Sequence, residues 1–334
     1  VKGAHPFVQR YWRGELGVRG GVLDAVLAPV EAVYGAGVRV RNHAFDTGRT
    51  ARVRARIPVI SIGNITVGGT GKTPFAHHIA ELLRARGRRP AIVHGGYAAD
   101  EPALHRRWSP AIPVIVARDR ARAVADAAER GADVAVLDDG FQHRRLERDL
   151  DIVLVAAERW DRRPRLLPRG PWREPPASLC RAGLVAVVRK AGSAVEAAAV
   201  AGEVRGITGR EALRLHLRSA GWRAVGSSAA GDRPAAPALL VCALADPDLF
   251  RRSALEAGAD IADLVAFPDH HAYSAADARR VLRRAGDRPI VTTEKDWVKL
   301  EGMLAAAAVY ILAQAVVLEC GAAALDSALD RVVA

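Results

Sequence analysis

The residues most able to do chemistry together are the run Thr66-Val67-Gly68-Gly69-Thr70-Gly71-Lys72-Thr73. An apolar stretch, residues 57–62, precedes it, and a helical pattern, residues 73–86, follows. That is the setting of a phosphate-cradling loop. The glycines let successive backbone N–H groups turn toward phosphate oxygens, and the helix start presents its positive end to them. Lys72 supplies a cation for the β- and γ-phosphates, and Thr73 a hydroxyl for Mg²⁺. Pro74 falls in the first helical turn, where a missing N–H does no harm. Thr66 stands where the pattern usually opens with glycine, so an accidental glycine turn is the competing reading.

A second apolar run, Val134 to Leu137, ends in Asp138-Asp139-Gly140. Carboxylates at a strand end beside such a loop hold Mg²⁺ directly or through water. An apolar strand ending in Asp is common by itself. Together with Lys72 and Thr73 it points to Mg·ATP.

Several further segments fall in a specific order. They are Ser61 to Pro74, Asp138-Asp139-Gly140-Phe141-Gln142-His143-Arg144-Arg145-Leu146, Leu167 to Pro175, Phe267-Pro268-Asp269-His270-His271-Ala272-Tyr273, and Thr292 to Leu300. With them the chain resembles the tetraacyldisaccharide 4'-kinase family, the lipid A kinases of Gram-negative envelope biosynthesis. The resemblance implies transfer of the ATP γ-phosphoryl group to the 4'-hydroxyl of a tetraacylated glucosamine disaccharide 1-phosphate, giving lipid IVA. It implies two Rossmann-like α/β/α domains, the first a P-loop type parallel sheet, and a peripheral, monotopic place on the cytoplasmic face of the inner membrane.

The resemblance also assigns residues. Asp100 of Asp100-Glu101-Pro102, supported by His270, would accept the hydroxyl proton, with a helix cap and a loop histidine as the structural alternatives. Lys72, Arg173 and Asp139 join them as catalytic candidates, and Thr66 to Thr73 hold the nucleotide. Thr73, Asp138, Asp139 and Glu101 are the Mg²⁺ candidates. Arg173 either holds phosphate charge or pairs with Glu174; Gln142 and His143 line the acceptor side. Tyr273, Glu294 and Lys295 are expected at a domain interface, with no chemistry assigned. The chain departs from the family pattern at His94 to Asp100, where a connecting segment is almost absent, and at Ala243-Leu244-Ala245-Asp246-Pro247, which lacks the usual turn glycines.

The elements that must position these residues alternate strand and helix. Residues 57–62, 90–93, 113–116, 134–137, 151–155 and 184–188 read as buried strands, and 73–86 and 118–130 as helices closed by Gly87 and Gly131. A proline- and arginine-rich loop fills 156–180, and the stretch 226–237 reads as a linker or exposed turn. Strands resume at 238–242, 261–266 and 289–293. The expected division is 1–230, 231–320, and a C-terminal helix 321–334 packing back on the first domain. Ahead of the loop, Val22, Leu23, Val26, Leu27, Val30, Val33 and Tyr34 recur at helical spacing between Arg19 and Arg39 with Arg41. That stripe suits either the sheet or an anionic bilayer surface, and Pro29 is expected to kink or divide its helix.

Composition narrows the partners. A net charge of +12, almost all from arginine, favours anionic partners. No base-reading motif points to nucleic acid, and no obligate protein partner is inferred. The three cysteines, Cys180, Cys242 and Cys320, have no paired spacing, are expected in or near the core and fit a reducing compartment. The opening residues show no secretory pattern, and the apolar, alanine-rich stretch from Met303 is interrupted by Gln314, which favours a buried strand pair or a strand and turn over a membrane span. The remaining alternatives are a P-loop kinase of another sugar or lipid head group and a membrane-associated NTPase.

Overall fold

The computed structural model describes residues 6–96, 100–226, 232–244 and 246–334. Residues 1–5, Tyr97 to Ala99 of the shortened segment, residues 227–231 of the linker stretch and Ala245 of the altered turn lie outside the described residues.

In chain order the helices and strands are α1 (Pro6–Trp12), α2 (Gly17–Asp46), β1 (Val59–Asn64), α3 (Lys72–Ala85), β2 (Pro90–His94), α4 (Asp100–Trp108), β3 (Val114–Val116), α5 (Arg120–Glu129), β4 (Val134–Asp138), β5 (Leu150–Ala156) and β6 (Leu184–Arg189). There follow α6 (Ala194–Thr208), β7 (Leu213–Ala224), β8 (Ala238–Cys242), α7 (Pro247–Glu256), β9 (Ile261–Ala266), α8 (Ala275–Ala285), β10 (Ile290–Thr292), α9 (Glu294–Leu304), β11 (Val309–Cys320) and α10 (Ala322–Val333).

These elements form two compact units. The larger takes in the described chain up to Gly96, Ser109–His216 and Val316–Ala334; the smaller takes in α4 and the described residues of Leu217–Ala315. The partition therefore differs from a single cut near residue 230. Helix α4 leaves the larger unit because it packs on α9, where Arg107 forms a double hydrogen bond with Glu301 at 2.5 and 3.1 Å.

In the larger unit the strands follow the order β3-β2-β4-β1-β5-β6-β7. The β1 pairings with β4 and β5, and the β2 pairings with β3 and β4, are parallel. Strands β1, β2 and β4 are buried along their whole length, as β-branched runs without alternation require when both sheet faces are covered. Helix ends carry local signals: Asp119 caps α5 through Ala121 and Arg122, and Ser193 with Glu196 forms a capping box on α6. Helix α10 joins the larger unit, where Asp330 pairs with Arg86 at 3.3 Å.

The smaller unit places its strands in the order β11-β10-β8-β9, with parallel pairs β10 to β11, β10 to β8 and β8 to β9. Leu239, Val241, Val281, Trp297, Leu300 and Ile311 are buried together on one side of it.

Three expectations change. Helix α2 is not divided at the exposed Pro29, which lies inside one continuous helix. Asp24 and Glu31, on either side of the proline, are both held by the loop at 165–169, which keeps the two halves as one element. The second change is that only Cys242 is buried; Cys180 and Cys320 are exposed. Lastly, Met303 closes α9 rather than opening a strand, and the apolar strand starts at Val309.

Candidate active site

The glycine loop leaves β1 in the interior of its sheet. Register sets Ile62 opposite Asp138, so the acidic turn after β4 lies beside the exit of β1. The two turns approach closely: a Cβ on Gly63 would stand 2.4 Å from the Cβ of Phe141, so any side chain at 63 would push the turns apart. Asn64 donates to the Thr70 hydroxyl at 3.0 Å, and Gly71, at φ +87°, delivers the chain into α3, whose first residues are Lys72 and Thr73.

The loop is stapled from outside as well. Val67 N–H donates to the Pro171 carbonyl at 2.7 Å and Arg173 N–H to the Ile65 carbonyl at 2.8 Å. That pairing sets the Arg173 side chain on Asp139, with Nη1 3.1 and 3.2 Å from its two oxygens, while Lys72 Nζ lies 3.4 Å from Oδ1. Burial pushes the Asp139 carboxyl up, but Lys72 and Arg173 outweigh it and hold the group well below the usual carboxylate range. Asp139 also sits in the left-handed region at φ 61°. Such a conformation costs about 1–3 kcal/mol and persists only where its surroundings fix it.

Arg173 is therefore not paired with Glu174. The fully buried Glu174 accepts instead from Asn42 at 2.8 Å, Gln142 at 3.2 Å and Arg41 at 3.3 Å, and pairs with Arg181 at 3.0 Å. It ties α2 to the loop that carries Arg173. Gln142 accepts from Arg173 at 3.3 Å and is thus part of the same network.

Two cations outside the motif back the loop. Lys190 Nζ donates to the Gly69 carbonyl at 2.8 Å. Gly68 has φ +108°, and a Cβ there would meet Arg159 Nη1 at 2.4 Å. The donor set matches a magnesium nucleotide: an ammonium and a hydroxyl at a helix start, further cations behind the loop, and the carboxylates Asp138 and Asp139 on the neighbouring turn.

The second group of candidates lies wholly in the smaller unit. Asp100, at the start of α4, is 4% exposed, and its two oxygens lie 3.2 and 3.3 Å from His270 Nδ1. Lys299 Nζ is 3.5 Å and Lys295 Nζ 3.8 Å from Oδ2 of the same carboxylate. Burial pushes the Asp100 carboxyl up, but His270, Lys295 and Lys299 prevail and keep it well below the usual range. His270 is, with Asp139, a described non-glycine residue at positive φ, 60°. Glu101 follows Asp100 on α4, in a different compact unit from Thr73, Asp138 and Asp139.

Residues 23–100 and 97–334 match the family model described as tetraacyldisaccharide-1-P 4'-kinase. The chain belongs to the tetraacyldisaccharide 4'-kinase family. A tetraacyldisaccharide 4'-kinase of Anaeromyxobacter dehalogenans (strain 2CP-C) is 40% identical over 332 residues, covering 89% of this chain and 87% of its own. One from Halorhodospira halophila (strain DSM 244 / SL1) is 39% identical over 298 residues, 84% of each chain. The crystal structure of "apo" form LpxK from Aquifex aeolicus in complex with ATP matches with a TM-score of 0.74 at 27% identity, over 93% of this chain and 100% of that one. As a member of this kinase family the chain is an enzyme, a transferase.

The sequence reading of this kinase missed the roles of Lys295 and Lys299. They are four residues apart on α9, which sets both on one helix face. That spacing, beside a histidine motif, was the available signal. Arg159 and Lys190 carried no local pattern.

Proposed function

We propose that the chain transfers the γ-phosphoryl group of ATP to the 4'-hydroxyl of an acylated glucosamine disaccharide 1-phosphate. The observation that carries this beyond nucleotide hydrolysis is the buried Asp100 carboxylate, kept ionised and oriented by His270. An NTPase needs no such acceptor; a kinase of an alcohol does.

Thr66 to Thr73 bind the nucleotide through backbone N–H groups, Lys72 draws the β- and γ-phosphates, and Arg173 meets the charge that spreads over the transferring group. Thr73, Asp138 and Asp139 would hold Mg²⁺, which would supply further positive charge against the phosphates when bound. Asp100 orients the acceptor hydroxyl and takes its proton as the bond from its oxygen to the γ-phosphorus forms and the bond to the β,γ-bridging oxygen breaks, releasing ADP. His270 holds the carboxylate and stabilises its charge during transfer.

Helix α2 supports a place at a lipid surface. It is long and apolar enough to cross a membrane by length and composition, yet Asp24 and Glu31 hold it along the larger unit through Arg165 and Arg169. Val22, Val26, Val30 and Val33 stay exposed between those anchors, which fits shallow insertion at the cytoplasmic face of the inner membrane.

The test is transfer of labelled γ-phosphate from Mg·ATP to tetraacyldisaccharide 1-phosphate in mixed micelles, with the product's phosphate located chemically. Label at the 4' position, with little phosphate release when lipid is omitted, is expected. Release at the same rate without lipid contradicts the reading and favours an NTPase.

A further inference from the structure

We propose that Lys295 is a positioning residue for the proton acceptor: its ammonium fixes His270 in the tautomer that donates from Nδ1 to Asp100. This rests on the reading of Asp100 as the base.

A lysine ammonium has only N–H groups to offer. Lys295 Nζ lies 3.2 Å from His270 Nε2, so that nitrogen must present its lone pair. The ring proton then belongs on Nδ1, which faces both oxygens of Asp100. With the proton on Nε2 instead, both contacts fail together: N–H would face ammonium, and a lone pair would face carboxylate.

The other charged groups around the ring fit this arrangement. Asp269 is 3.9 Å from Nε2, too far to accept from it, and holds Lys295 at 3.3 Å. Lys299 lies 3.5 Å from Asp100 and donates to the His271 carbonyl at 3.0 Å. The helix turn that carries Lys295 is well fixed, because Asp296, next on α9, is buried and accepts from Ala243 N–H at 3.1 Å, Thr293 Oγ1 at 2.7 Å and Tyr273 OH at 3.1 Å. A single tautomer is what a base-orienting histidine requires; the wrong one aims the ring's acceptor at the carboxylate.

The experiment is ¹⁵N NMR of histidine-labelled, nucleotide-free protein, with His270 assigned by its loss in His270→Ala, alongside kcat and KM for wild type, Lys295→Met and Lys295→Arg. In wild type, Nε2 should carry the pyridine-type resonance and Nδ1 the proton. Lys295→Met should shift the ring toward the other tautomer and lower kcat at least about 10-fold, while KM for ATP moves by less than about 3-fold. Lys295→Arg, again only a donor, should restore the wild-type tautomer. A wild-type proton on Nε2 overturns the proposal even if the methionine variant fails to fold. So does a Lys295→Met ring unchanged from wild type. A fully active Asp100→Asn enzyme, by contrast, would sink the assignment of the base and leave the tautomer to be decided by the spectrum.

Discussion

Lys72 Nζ and Asp139 Oδ1 lie 3.4 Å apart, so the cation of the glycine loop is held by the carboxylate on the turn after the neighbouring strand. Arg173 shares that carboxylate from the opposite loop. Asp139 thus aligns two cations from separate segments at the mouth of one helix, in a backbone conformation that the fold must enforce.

Removing one of those cations tests the nucleotide site. Lys72→Ala should lower phosphoryl transfer at least about 100-fold, as for loss of one preorganised charge contact. Arg173 still partners Asp139 in that variant, so circular dichroism and melting should stay close to wild type. Near-normal turnover by the folded variant would remove the loop from the mechanism.

Glu174 tests how α2 is attached. Burial raises its pKa, but Arg181, Asn42 and Arg41 overcome that and leave it lowered. A lowered folded value means that Glu174 stabilises the fold fully above the ordinary glutamate pKa and loses that contribution as pH falls through the folded value. Glu174→Ala should therefore cost about 1–3 kcal/mol at neutral pH, because the partly buried Arg181 and Arg41 lose the carboxylate they share. The gap to wild type in urea unfolding should narrow only below about pH 4. A gap that stays constant into acid, or one that closes near neutrality, would contradict the network.

The faces of α2 separate membrane contact from packing. Val22, Val26 and Val33 are 62%, 61% and 73% exposed, whereas Leu23 and Leu27 are partly buried. Replacing the three valines by Ser should release the protein from anionic vesicles in sedimentation with little change in melting. Replacing Leu23 and Leu27 should instead lower the melting temperature. Vesicle binding unaffected by the valine substitutions would mean that this face does not meet lipid.

The sequence shows clearly those parts whose partners are neighbours in the chain. The glycine loop, the acidic turn at Asp138 and strands β1 to β6 are contiguous runs, and they lie within a few residues of their expected bounds. Strand β7 was hidden because it alternates burial with arginine and glycine, and α6 because its alanine-rich turn pattern has little contrast between faces. The cation cluster on Asp100 was half legible. The motif resemblance named His270, but Lys295 and Lys299 act through a helix nearly two hundred residues away in sequence, and nothing local to Asp100 marks them. The same distance explains why α4 belongs with the smaller unit: its packing partner, α9, decides its place.

The central claim is that Asp100 and His270 act as one proton-accepting unit in 4'-phosphorylation. Initial rates for wild type, Asp100→Asn, His270→Ala and the double variant measure it directly. Each single change should lower kcat by roughly 10²–10⁴-fold with a smaller effect on ATP affinity. The double variant should lose far less than the product of the two, because the second removal finds the pair already broken. Fully multiplicative losses would deny the coupling that their 3.2 Å contact implies, and an Asp100→Asn enzyme with wild-type kcat would contradict the account outright.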